Sequence, residues 1–127
     1  TSNAESFPTQ TAVVQRGSRA GATIAASIVA EVNEHNIAPL GSFGVVIGAT
    51  VQRADYGISD DDLGMTPVLA PGFGHQGAGF DSIGRSYCSA ATNLLVSSSR
   101  AILEAGPAGL SSAIAAQARD LAEVYGA

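Results

Sequence analysis

Three short runs of consecutive hydrophobic residues, without alternating polar positions, most constrain how this chain can fold. They lie within residues 43–49, 67–70 and 93–96. A strand that is apolar at consecutive positions is covered on both faces, which is typical of parallel sheets. Segments with helical spacing precede, separate and follow these runs. The alternation predicts an α/β fold built on a parallel sheet.

The segments around these runs are predicted to be helical. Ile24, Ile28 and Val32 repeat at four-residue steps, which predicts a helix over residues 19–35 with Ser18 as its N-cap. Other helical segments are predicted over residues 51–57, 79–89, 100–105 and 108–124. The buried stripe of the last helix would consist of Leu110, Ile114, Leu121 and Val124. Loops are expected over residues 1–18 and 60–62.

Charge limits the classes of partner. The chain has 127 residues, a formal net charge of −5, and six basic residues, all of them arginines. It lacks the basic surface that general binding to nucleic acid or to a membrane surface requires. Without a lysine, it cannot supply Schiff-base chemistry or a lysine general acid. A single arginine can still bind a phosphate group locally.

The number and spacing of cysteine and histidine residues favour a cytoplasmic protein and predict no metal site. Cys88 is the only cysteine, so no internal disulfide can form, which fits a reducing compartment. No apolar run approaches the roughly 20 residues of a membrane span, and the first residues lack the pattern of a signal peptide. His35, His75 and Cys88 do not have the spacing of metal ligands, so no metal site is predicted.

Two predicted strand ends carry groups that suit an anion, and functional residues of parallel α/β folds lie at such ends. Residues 71–77 contain glycines, whose backbone N–H groups can approach an anion closely, and the amide of Gln76. Arg100 stands at a predicted helix start, where a cation is unfavourable unless an anion binds. Together these ends predict one phosphate site. A purely structural tight turn is the alternative for the glycine segment.

The same segments resemble a known family. Pro71-Gly72-Phe73-Gly74-His75-Gln76-Gly77, followed by Ser97-Ser98-Ser99-Arg100, resembles orotidine-5′-phosphate decarboxylase, in particular its actinobacterial branch. That branch also has Thr-Ser-Asn just after its fifth strand, which matches residues 1–3. Residues 44–50 and 105–107 fit the family as well. The resemblance covers essentially all 127 residues.

The resemblance implies a (β/α)₈ barrel, or TIM barrel. Its enzyme would convert orotidine 5′-monophosphate to uridine 5′-monophosphate and CO₂ in pyrimidine biosynthesis, with neither metal nor cofactor. It also implies that Gln76 and Arg100 hold the substrate phosphate, together with a backbone N–H near Ser99. Ser2 would form a hydrogen bond to the pyrimidine.

The resemblance further implies that Pro71 and Phe73 form an apolar wall beside the base and the ribose. The family's catalytic Lys/Asp network lies on early strands, and this chain has neither a lysine nor a matching segment. No catalytic residue is therefore expected within residues 1–127. A barrel of this type needs about 250 residues. The chain would be the C-terminal portion of one barrel domain, holding about strands six to eight.

In this interpretation the chain acts with the N-terminal portion of the same barrel, and the family is usually a homodimer. The isolated segment is expected to be inactive and to aggregate, self-associate or stay loosely packed, since its sheet would have open edges. One alternative is a stand-alone, non-enzymatic α/β module that binds phosphate or another anion. Another is a barrel acting on a sugar phosphate, which the match of Thr1-Ser2-Asn3 argues against.

Overall fold

Three strands form a single parallel sheet in the order β1-β2-β3. The computed structural model describes residues 3–38, 40–74 and 77–126, with the side chains of Cys88 and Ser89 excepted. The strands are β1 (Val45–Val46), β2 (Val68–Pro71) and β3 (Leu94–Ser97). The predicted α/β alternation and parallel sheet are therefore confirmed.

The backbone after β1 continues to pair with β2 beyond the two residues assigned to the strand. The amides of Ile47 and Ala49 donate to the carbonyls of Leu69 and Pro71, at 3.0 and 2.8 Å. At the start of β1, a Cβ added to Gly44 would lie 2.7 Å from the carbonyl oxygen of Pro67. Glycine is needed there because the two backbones approach so closely.

Within the described residues, five α-helices accompany the sheet: α1 (Phe7–Gln10), α2 (Ile24–His35), α3 (Ile83–Tyr87), α4 (Ser99–Leu103) and α5 (Gly106–Tyr125). Short 3₁₀ turns lie at Ala4–Ser6, Arg53–Tyr56, Asp61–Leu63, Phe80–Ser82 and Cys88–Asn93. The helix predicted over residues 51–57 is thus a 3₁₀ turn, and the one predicted over 79–89 is α3 between two such turns.

The start predicted for the long helix after residue 18 is wrong. Thr23 is the N-cap of α2, and its hydroxyl accepts a hydrogen bond from the amide of Ala26 at 3.0 Å. The preceding residues instead form a backbone loop, in which Val14 and Ala22 are hydrogen-bonded at 2.9 Å. The expectation of loop over residues 1–18 is also wrong in part, because α1 and a 3₁₀ turn lie there.

The buried stripe predicted for the final helix is wrong in part, although Leu121 packs against the core. Ile114 and Val124 are 49% and 38% exposed, and no described residue of α5 is buried. The helix packs against α4 and the 3₁₀ turn at Phe80–Ser82, beside the outermost strand β3. Only part of the apolar surface of α5 packs against other residues there.

The core lies on the helix-covered face of the sheet. Its buried apolar residues are Ala25, Val29, Ile47, Ala49, Tyr56, Ile58, Leu63, Val68, Ala70, Phe73, Ile83, Tyr87 and Ala90. Val68 and Ala70 of β2 are completely buried, whereas Leu69 between them is 43% exposed. Because successive side chains of a strand point to opposite faces, the second face of the sheet is open to solvent.

That second face carries a row of apolar side chains. Val46, Leu69 and Leu95 are register partners across the three strands, and Val46 and Leu95 are 52% and 54% exposed. We call these three residues the apolar row. The expectation that both faces of the strands are covered is wrong for the part of the chain that the structure describes.

Candidate functional site

The ends of β2 and β3 lie against each other, as expected for neighbouring parallel strands. The hydroxyl of Ser98 donates to the carbonyl oxygen of Phe73 over 3.4 Å. A Cβ added to Gly74 would lie 3.0 Å from the Cβ of Ala101 and 3.5 Å from Oγ of Ser98. The loop after β2 therefore packs on the first turn of α4, where the resemblance places Arg100.

The backbone conformation of this loop explains why it contains glycines. Gly72 and Gly74 have φ angles of 108° and 78°, a region that other residues rarely adopt. The amide of Gly74 donates to the carbonyl of Ala78 at 3.0 Å, which closes the loop. The tight-turn interpretation of the glycines is thus compatible with the geometry. His75 and Gln76 lie outside the described residues, as does Ser2.

Arg100 lies in the first turn of α4, and both it and Ser99 are exposed. No ion pair joins its guanidinium to a carboxylate among residues 3–38, 40–74 and 77–126. Its charge is consequently available to a ligand. Since α4 has only five residues, its macrodipole is small, and the arginine side chain is the main source of positive charge here.

Pro71 and Phe73 have different environments. Pro71 is half-buried at the end of β2. Phe73 is only 2% exposed, and its ring contacts Phe80 with a centroid separation of 5.4 Å. The ring of Phe73 thus belongs to the core that supports the loop, whereas Pro71 lies nearer to the open end of the sheet.

A cavity of about 530 Å³ adjoins the loop on the side of α5. It is lined by Gly74 and Ser98 and by the acidic residues Asp81, Asp120 and Glu123. These carboxylates would repel a phosphate, so any anion at the strand ends is better placed on the side of Arg100.

The described residues contain no group of three or more His, Cys, Asp and Glu side chains that could hold a metal ion. His35 is exposed at the end of α2, where Nδ1 lies 2.8 Å from the carbonyl oxygen of Glu31. No helix in the described part of the chain is long and apolar enough to cross a membrane.

Two features were missed by reasoning from the sequence. The apolar row is one, since a run of consecutive hydrophobic residues does not reveal whether each face of a strand is covered. Arg53 is the other, a buried guanidinium that follows the first strand. The end of that strand was recognisable in the sequence, but no motif distinguished Arg53 from the exposed arginines.

Comparison with known proteins gives several relatives that share one name. The chain is 42% identical over 108 residues to a protein from Streptomyces coelicolor named orotidine 5′-phosphate decarboxylase, covering 84% of this chain and 37% of that protein. A protein of the same name from a Nocardioides species is 42% identical over 81% of this chain and 36% of its own length. Another from Salinispora arenicola is 40% identical over 76% of this chain and 34% of its own length. No family model matches the chain, and no solved structure matches it significantly.

These relatives confirm the resemblance that the motifs carry: most of this chain is similar to part of the orotidine 5′-phosphate decarboxylases. The chain spans just over a third of the length of the relatives it matches.

Proposed function

We propose that this chain supplies the phosphate-binding part of an orotidine-5′-phosphate decarboxylase, which converts orotidine 5′-monophosphate to uridine 5′-monophosphate and CO₂. The name shared by its relatives supports this activity. Residues 1–127 would be the C-terminal portion of one TIM-barrel domain, with β1, β2 and β3 as about its sixth, seventh and eighth strands. The assembled enzyme would be a cytoplasmic homodimer without a metal or cofactor.

The apolar row is the observation that best supports a barrel. In a TIM barrel, helices cover the outer face of the sheet, and layers of apolar side chains from alternate strands fill the interior. The sheet of this chain has helices on one face and Val46, Leu69 and Leu95 on the other. Within the described residues, β1 and β3 each pair on one side only. Further strands would pair with both edges and enclose the row.

The phosphate of the substrate would bind at the joined ends of β2 and β3. The exposed guanidinium of Arg100 has no carboxylate partner among the described residues and can donate two parallel hydrogen bonds to an oxyanion. The amide of Gln76 and a backbone N–H near Ser99 would complete the set, as the resemblance implies. The tight contact between the loop and α4 would hold these donors in one arrangement.

The nucleoside would extend from this phosphate over the open end of the sheet. Ser2 would donate a hydrogen bond to the pyrimidine, and Pro71 would contact the base or the ribose. The buried ring of Phe73 favours a supporting role for that side chain, because it packs on Phe80 within the core. Any contact of Phe73 with the substrate would then come from its backbone.

Binding and proton transfer would be divided between the two portions of the barrel. Decarboxylation breaks the bond to the carboxylate and leaves an electron pair on the pyrimidine carbon, which then takes up a proton. This chain has no lysine that could donate this proton. Its contribution would be the binding energy of the remote phosphate, which orients the reacting carbon against the groups of the other portion.

Turnover measurements on separated and combined portions test this function. The loss of orotidine 5′-monophosphate would be followed by absorbance for residues 1–127 alone, for the N-terminal portion of a relative alone, and for their mixture. We expect turnover only in the mixture. Turnover by residues 1–127 alone would contradict the division of labour. A monodisperse chain that binds phosphate and gains no activity from the N-terminal portion would instead support the stand-alone anion-binding module.

A further inference from the structure

A second cavity, of about 640 Å³, lies at the carboxyl end of β1. The polar side chains in its wall include Thr50, Arg53, Asp60, Ser82, Arg85 and Ser86. None of them belongs to the phosphate site proposed above. The volume is within the range of small-molecule sites and exceeds what a single inorganic ion needs.

Arg53 is the unusual member of this wall. Its side chain is only 7% exposed, and Nη2 forms an ion pair with Oδ1 of Asp60 at 2.5 Å. Nη1 is buried as well and has no hydrogen-bond partner. A charged N–H group that is removed from water and left without an acceptor is unfavourable. Asp60 thus satisfies one side of the guanidinium and leaves the other without an acceptor.

The charges in the wall favour an anion. Arg53 and Arg85 outnumber Asp60, the one carboxylate there. Arg85 is 80% exposed and lies 3.7 Å from Asp81, a distance typical of a weak surface ion pair. Hydroxyl groups on Thr50 and Ser86 add further donors, whereas the hydroxyl of Ser82 donates to the carbonyl oxygen of Gly79 at 2.6 Å.

We propose that this cavity is a second anion site, which binds the phosphate group of a small phosphorylated molecule. A phosphate presents several acceptor oxygens and can therefore serve two guanidinium groups and neighbouring hydroxyls at once. One of its oxygens supplies the acceptor that Nη1 of Arg53 lacks, after a small movement of the side chain. The remaining volume of the cavity accommodates the organic part of the molecule.

Nuclear magnetic resonance on the complete gene product that contains residues 1–127 tests this site. Inorganic phosphate and uridine 5′-monophosphate would be titrated separately, which distinguishes free phosphate from a phosphate ester as the ligand. We expect saturable shifts of the Arg53 side-chain N–H signals and of the amides of residues 49–54. The affinity should fall roughly tenfold or more in Arg53→Gln and roughly two- to fivefold in Arg85→Gln.

Two further variants separate this site from the proposed active site. Arg100→Ala should leave the shifts of residues 49–54 unchanged, whether or not it impairs turnover. Arg119→Gln, on exposed α5, is the control for a general loss of positive charge. The proposal is overturned if the Arg53 signals of the unsubstituted protein do not move at millimolar concentrations of either probe. Unchanged affinity in both Arg85→Gln and a folded Arg53→Gln protein would overturn it too.

Discussion

The phenolic hydroxyl of Tyr87 donates a hydrogen bond of 2.9 Å to the backbone carbonyl oxygen of Ile47. This bond joins α3 to the backbone that continues β1 towards the end of the sheet. Tyr87 and Ile47 are each 1% exposed, so water cannot replace the bond. The carbonyl of Ile47 therefore depends on this hydroxyl, and the interaction links a helix to the strand end where Thr50 and Arg53 follow.

Removal of this hydroxyl should destabilise the protein at neutral pH. In Tyr87→Phe, the carbonyl of Ile47 would be buried without its donor, at a cost of about 1–3 kcal/mol in the free energy of unfolding. Tyr125→Phe is the matched control, since the hydroxyl of Tyr125 donates to the carbonyl of Ala91 at an exposed site. Urea unfolding should show a clearly larger loss for Tyr87→Phe, and equal losses would contradict the structural role of the buried bond.

Stability should also decline in alkali because of Tyr87. Burial raises the pKa of its phenol from 10.0 to about 12. The folded state thus keeps the proton more tightly than the unfolded state. This contribution to stability is fully present below pH 10 and is lost as the pH rises towards 12. Unfolding measured between these pH values should depend less on pH in Tyr87→Phe. An unchanged slope would indicate that this phenol does not titrate as expected.

Asn36 should be a major determinant of stability at the opposite end of the sheet. Its amide group donates to the carbonyl of Phe43 and to the hydroxyl of Thr66, and its oxygen accepts from the amide of Phe43. Asn36 is 3% exposed and Thr66 is completely buried, so Asn36→Ala would remove three hydrogen bonds from a site that is largely closed to water. We expect a loss of about 2–4 kcal/mol in urea unfolding. Asn3→Ala, which removes an exposed cap, should cost less than about 1 kcal/mol.

Arg100→Ala should weaken phosphate recognition in the assembled enzyme. The loss of a charge-assisted contact worth about 1.5–3 kcal/mol should raise KM for orotidine 5′-monophosphate roughly ten- to a hundredfold. Arg119→Ala, on the exposed surface of α5, should leave KM unchanged. With orotidine, which lacks the phosphate, the effect of Arg100→Ala should largely disappear. Equal losses with both substrates would assign Arg100 a role other than phosphate binding.

Leu69→Ala tests whether the apolar row lies inside a barrel. Leu69 is 43% exposed in this chain, so the substitution should cost residues 1–127 less than about 1.5 kcal/mol. In the assembled protein the leucine would be buried, and the cost should rise to about 2–5 kcal/mol. Ile37→Ala, at a residue that is 94% exposed, is the control in both settings. A cost that does not differ between the two settings for Leu69→Ala would contradict enclosure of the row.

The sequence was sufficient to predict the strand positions and their parallel pairing, whereas the anion site at the strand ends stays a prediction. These follow from local patterns: consecutive apolar residues, helical spacing and turn-forming glycines. The start of α2 was not predictable in the same way, because Thr23 is selected as the cap by the backbone loop that precedes it. Ser18 has an equivalent hydroxyl but lies within that loop.

Other features depend on tertiary structure that local patterns do not encode. Leu69 and Val68 are both aliphatic residues of β2, yet one is 43% exposed and the other is completely buried. Which face of a strand is covered is decided by elements that are distant in sequence. The burial of Arg53 likewise depends on the packing of residues around its 3₁₀ turn, and composition around Arg53 gave no sign of it.

The pairing of each strand with its neighbour in sequence has a kinetic consequence. Val45 pairs with Val68, and Val68 pairs with Leu94, so one helix-containing connection is closed at each step. The entropy of closing a connection grows only slowly with its length, so each strand pairing adds a modest cost. The three strands would therefore pair stepwise along the chain into one three-stranded unit. Slow steps in folding would then be the meeting of this unit with distant segments that cover Val46, Leu69 and Leu95.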